Sequence, residues 1–140
     1  MNIKKIIIGG LAGGIGYFFL GWLVYGILLA GYMKANFNAC ASRPEQNMIW
    51  WAMILSNICW GIFLAVIFSL SKAGSIVAAL RTSLVVGLLI ALTMNLSFYS
   101  MTTMYMNITA MFVDLITFTL MTCLSGLIVA LAMGLGKKTE

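Results

Sequence analysis

The pattern of hydrophobic and polar positions divides the chain into four long apolar runs, about residues 6–32, 48–70, 79–101 and 108–135, separated by short polar breaks. The longest break is the 15 residues from Met33 to Asn47. A helix that crosses the hydrocarbon of a bilayer needs about 20 mostly apolar residues. Each run meets that length, so the pattern predicts four spanning helices and one domain over residues 1–140.

Inside the runs the small residues are periodic. The first carries Gly9, Gly10, Gly13, Gly14, Gly16, Gly21 and Gly26, and the pairs Gly9/Gly13 and Gly10/Gly14 stand four apart. That spacing lets a neighbouring backbone approach closely in lipid. The last run repeats it with Gly126, Ala130 and Gly134. Such faces join helices of one chain or two copies of it. Before the second run, Ser42-Arg43-Pro44-Glu45 reads as a capping box with the only proline in the first turn. The second helix is therefore expected to start outside the bilayer, with Trp50 and Trp51 at headgroup depth beside Tyr32 and Tyr105.

Composition sharpens the class. Hydrophobic residues make up 63% and charged residues 8% of the chain, with a mean hydropathy of +1.08, far outside the range of water-soluble domains. The expected fold is all-α, an integral membrane four-helix bundle. Lys4 and Lys5 ahead of the first run, with Ala39-Cys40-Ala41 after it, resemble an export signal, but signal cores run only about 7–15 residues. The first run is therefore read as a retained helix. Lys4, Lys5, Lys72, Arg81, Lys137 and Lys138 fall on one side and Lys34 and Arg43 on the other, which predicts both termini in the cytoplasm. The net charge of +5 suits anchoring at an anionic leaflet and makes no case for nucleic acid. Lys137 to Glu140 would also pass as a dilysine retrieval signal, and is read as a positive anchor.

Candidate chemistry centres on Asp114, one of three acidic residues. Entering from Asn107 at about 1.5 Å per residue, it lies roughly 10 Å into the bilayer. The same count on the other runs reaches Trp22 and Tyr25, Ser56 and Asn57, and Asn95 with Tyr99. On the last helix Asn107, Asp114, Thr117, Met121 and Ser125 share a face. A carboxylate at that depth must find donors or keep its proton. Tyr25, Asn57 and Asn95 are the expected donors, with Tyr99 and Thr117 lining the same layer. The layer is either hydrogen-bond adhesive between helices or a site for a proton or cation.

Met101, Met104 and Met106 offer soft thioethers suited to Cu(I). The chain holds 11 methionines, and methionine also fills irregular gaps, which is the favoured reading. Cys40, Cys59 and Cys123 are scattered and suggest neither a metal cluster nor a disulfide framework. Asn95-Leu96-Ser97 and Asn107-Ile108-Thr109 match the glycosylation sequon, relevant only in a secretory lumen. With no histidine and one acid in the spans, enzymatic chemistry has little to work with, and neither enzyme activity nor a cofactor is expected.

The stretches FFLGWLVYGILLAGYMKAN (residues 18–36), SNICWGIFLAVIFS (56–69) and VDLITFTLMTCLSGLIVALAMG (113–134) resemble a group of small four-helix bacterial inner-membrane proteins, a domain-of-unknown-function family. Many of its members carry a Trp-Tyr pair followed by proline where this chain has Leu23, Val24, Tyr25 and Gly26. The resemblance implies a multi-pass protein of a bacterial cytoplasmic membrane and supplies no activity. Two functions are expected in turn: a non-enzymatic accessory or assembly component of a membrane complex, or a small oligomeric transporter or channel in which Asp114 binds a proton or cation. Partners are then the lipid bilayer, further copies of the chain, or another membrane protein.

Overall fold

The computed structural model describes residues 2–41 and 43–136, and among these the chain is helical without a strand. Four helices are long and apolar enough to cross a membrane: Ile3–Leu28, Trp50–Leu70, Ile76–Met101 and Ile108–Ala132. Their outward faces carry large apolar side chains, among them Ile7, Leu11, Ile15, Leu55, Leu89, Phe112 and Leu120. Such a surface would associate in water and suits contact with acyl chains.

The first apolar run is not one regular helix. Helix α1 (Ile3–Gly21) is capped by Asn2, whose side chain accepts the Lys5 N–H at 3.2 Å. It passes into a seven-residue π segment, Trp22–Leu28. At Leu29 the backbone leaves the helical region (φ −103°, ψ 4°) before α2 (Ala30–Asn36). The remaining helices are α3 (Trp50–Leu70), α4 (Ile76–Met101) and α5 (Ile108–Ala132). Ser75 and Asn107 cap α4 and α5 by accepting the N–H groups of Ala78 (3.2 Å) and Ala110 (2.8 Å), each filling one of the orphan donors of a helix start.

Two expectations about helix ends are corrected. The capping box does not open α3: that helix begins at Trp50 after Ile49, with no side-chain cap. The Pro44 carbonyl instead accepts the Asn47 N–H at 2.9 Å in a separate short turn; Ser42 itself lies outside the described residues, as do Lys137 to Glu140. Gly134 is likewise no part of a packing face. It ends α5 at φ +71°, with its N–H on the Leu131 carbonyl and the Leu135 N–H on the Ala130 carbonyl, both at 3.0 Å. A positive φ at that position is what this helix ending requires and what glycine adopts freely.

Helix α5 packs against α1, α3 and α4, and α1 also packs along α3. Glycine makes these approaches possible. Gly61 of α3 sits against the Gly10 carbonyl and the Gly14 backbone, so that a Cβ there would overlap main-chain atoms. Gly9 faces Met133, the residue that follows α5, and Gly13 and Gly16 face Val129 and Ile128 of α5. Both glycine faces of α1 are thus occupied by the chain's own helices. On the other flank of α5, Gly87 meets Thr122 and Gly126 meets Ser83 and Phe68. One apolar cluster, including Ile6, Leu64, Phe68, Ala79, Val129 and Met133, fills the end near the termini. A smaller one, Tyr105, Ala110 and Met111 with Phe37 and Met104, fills the opposite end.

Candidate functional site around Asp114

At that opposite end, two connections far apart in sequence are fastened together. Phe37 and Tyr105 form an isolated antiparallel bridge. The Asn38 N–H donates to the Met104 carbonyl at 2.9 Å, and the Met106 N–H to the Asn36 carbonyl at 3.0 Å. Side chains extend the clasp: the Asn107 amide donates to Asn36 Oδ1 at 2.9 Å and the Asn38 amide to Thr103 Oγ1 at 3.3 Å. The rings of Phe37 and Tyr105 meet edge to face with centroids 5.1 Å apart. The clasp turns Tyr105 inward, leaving it 6% exposed.

Beneath it lies Asp114, half-buried on the second turn of α5. The Tyr25 hydroxyl donates to Asp114 Oδ1 at 2.8 Å. The Tyr105 hydroxyl stands 3.0 Å from Asp114 Oδ2 and 2.6 Å from Asn95 Oδ1, within donating distance of both. Asn95, buried on α4, donates its amide to the Ala91 carbonyl at 2.9 Å. Burial pushes the Tyr105 phenol above its ordinary range.

The π segment places Tyr25. In a regular helix, Tyr25 would lie about 80° around the axis from Tyr17, eight residues earlier. Both nevertheless face α5: Tyr17 packs on Phe118 with centroids 6.4 Å apart, and Tyr25 reaches Asp114, one turn before Phe118. The wide turn, marked by the Leu29 N–H on the Val24 carbonyl at 2.7 Å, slows the rotation and keeps the two phenols on one side. Such π turns concentrate at functional positions.

The expected polar layer is only partly assembled. Tyr25 and Asn95 join Asp114, the latter through Tyr105. Asn57 does not: its amide donates to the Met53 carbonyl of its own helix at 2.6 Å, and its backbone lies beside Gly14. Gly14 precedes Tyr25 by eleven residues, on the order of 15 Å along the axis. Counting depth from each helix end assumed that all four ends lie in one plane, and the offset of α3 breaks that assumption. Ser56 likewise bonds back to Met53. Tyr99 is 44% exposed and Trp22 is 61% exposed, both on outer faces. Thr117 is half-buried and takes no part in the hydrogen bonds of the cluster. Ser125, lower on the same helix, donates to the Gly13 carbonyl at 3.2 Å and ties α5 to α1.

Tyr105, expected among the headgroups, is instead the residue that closes the site. Tyr32, expected at the same level, has its hydroxyl buried without a partner among the described residues. The three candidate thioethers stand in different surroundings: Met104 packs on the Tyr105 cluster, while Met101 and Met106 are 77% and 66% exposed. Cys40, Cys59 and Cys123 are all free thiols. Beside the clasp, Lys34 and Arg43 line an open cleft of about 420 Å³ with Met33, Phe37 and Asn38.

No family model, no curated protein and no solved structure matches the chain. The functional reading therefore rests on this geometry.

Proposed function

We propose that the chain is a multi-pass protein of a bacterial inner membrane, a four-helix bundle with both termini in the cytoplasm, acting without enzymatic chemistry as an accessory or assembly component of a larger membrane complex. One observation carries this reading. Both carboxyl oxygens of Asp114 are met by phenols of the same chain, under a clasp built from its own loops. The acid is engaged in joining α5 to the π segment, to the α4–α5 connection and, through Tyr105, to α4. Polar groups between membrane helices commonly serve as such adhesive. With both glycine faces of α1 filled internally, the surface left for a partner is the apolar outer faces and the clasp.

A second reading is favoured by a specific feature: the acid sits next to a π turn and is linked by one phenol to the loops at the surface of the molecule. In that reading the chain is a small oligomeric transporter or channel, and Asp114 binds a proton or cation. Purified protein in proteoliposomes separates the two. The accessory reading expects no proton or cation flux from the wild type or from Asp114→Asn, together with a stoichiometric membrane-protein partner retained in mild detergent. Flux in the wild type that is lost in Asp114→Asn, with no partner retained, would establish transport and overturn the accessory role.

A further inference from the structure

The hydrogen bonds around Asp114 bear on how many protons the cluster holds. Asn95 sets the direction. An amide has an oxygen end and a nitrogen end, and only the nitrogen can face the Ala91 carbonyl at 2.9 Å without opposing two acceptors. Asn95 Oδ1 therefore faces Tyr105, and the hydrogen in that 2.6 Å contact has to come from the phenol. A phenol carries one hydrogen, so the shorter contact to Asn95 takes it and leaves no second full bond for Asp114 Oδ2 at 3.0 Å. The Tyr25 hydrogen is already used on Oδ1 at 2.8 Å. With an ionised carboxylate, the Tyr105 and Asp114 oxygens would face each other with lone pairs on both sides.

We propose that Asp114 carries a proton on Oδ2 and donates it to Tyr105, completing a one-way chain from Tyr25 through Asp114, Tyr105 and Asn95 to the Ala91 carbonyl. The cluster is a proton-binding site built from the π segment, α5, the α4–α5 connection and α4. The groups around the acid agree with this count. Tyr25 and Tyr105 face it directly, and Tyr17 of α1 is the third phenol near it. Helix α3 meets this region through Trp60, packed on Tyr17 and Phe118, and tryptophan does not titrate. Among the described residues, no lysine or arginine forms an ion pair with Asp114. A neutral acid also avoids placing an unpaired charge in an apolar layer. The inference deepens the accessory reading by making the adhesive an acid that donates, and it holds equally for a transporter.

Asp114 is the only aspartate in the chain, which makes the test direct. Aspartate labelled with carbon-13 at its side-chain carboxyl marks this group alone in the full-length wild type, with no substitution needed. Its infrared band and NMR shift at neutral pH are expected to be those of a carboxylic acid; those of a carboxylate would overturn the proposal. A pair of variants gives a second readout. Asp114→Asn keeps one acceptor for Tyr25 and supplies a donor for Tyr105, so its melting temperature is expected to stay within a few degrees of wild type, whereas Asp114→Leu falls well below it. An equal fall in both variants would also overturn the proposal. Neither readout depends on finding a partner, so this inference and the accessory reading fail separately.

Discussion

Near the termini, α1, α3 and α5 meet by bare contact, with the Gly61 backbone against Gly10 and Gly14 and apolar side chains filling the remaining space. At the clasp, helix ends are joined instead by directed hydrogen bonds among Asn36, Asn38, Tyr105, Asn107 and Asp114. The contrast matters because the hydrophobic effect does not draw helices together inside lipid. Close approach supplies dispersion where residues are small, and hydrogen bonds supply attraction where they are not. The first mechanism tolerates no added atom; the second tolerates added bulk and suffers when a donor is lost.

Substitutions at the two ends can break this comparison. The largest effect is expected at Gly61→Ala, whose new methyl has only backbone to displace; a loss of about 3 kcal/mol is expected from overpacking of this kind, measured by reversible unfolding in mixed detergent micelles. Tyr105→Phe removes the hydroxyl that serves both Asn95 and Asp114 while leaving the ring against Phe37, and is expected to cost about 2 kcal/mol in the same assay.

Tyr105 also carries a pH dependence. Its phenol is held above the ordinary value, so the folded state favours the protonated form. The associated stability is complete below the unfolded phenol's pKa of about 10 and declines as the pH rises beyond it. Alkaline unfolding that begins there in the wild type and is blunted in Tyr105→Phe would show this, followed by tyrosinate absorbance.

Ser125→Ala removes one hydrogen bond from the close-packed region and is expected to cost about 0.6 kcal/mol, the usual worth of such bonds between membrane helices. The smallest effect has the opposite sign. Gly31 on α2 has open space around it, so Gly31→Ala is expected to gain about 0.5 kcal/mol by restricting the unfolded chain. A loss at Gly31 as large as that at Gly61 would mean that the clasp end is packed as tightly as the other.

The four apolar helices were legible because length and hydropathy are local properties, and each run carries its own signal. Asp114 stood out for the same reason: one acid in an apolar run is visible without a partner. Tyr25 followed from counting depth along its own helix. Tyr105 did not, because a tyrosine in a short break has the same local signal whether it anchors in headgroups or turns inward. What decides between them is the pairing of residues 104–106 with residues 36–38, a contact across nearly half the chain. The π segment was hidden for a related reason. Trp22–Leu28 is apolar in either helical form, and only the demand that Tyr17 and Tyr25 face one neighbour distinguishes them. Asn57 failed because a depth count cannot register the offset of one helix along another.

The order of residues in the Asp114 cluster has a bearing on biosynthesis. Synthesis runs from residue 1 onward, so Tyr25, Asn95 and Tyr105 have all left the ribosome before the acid does. Residues 36–38 are likewise waiting when residues 104–106 emerge. The carboxyl is delivered last, to neighbours already made.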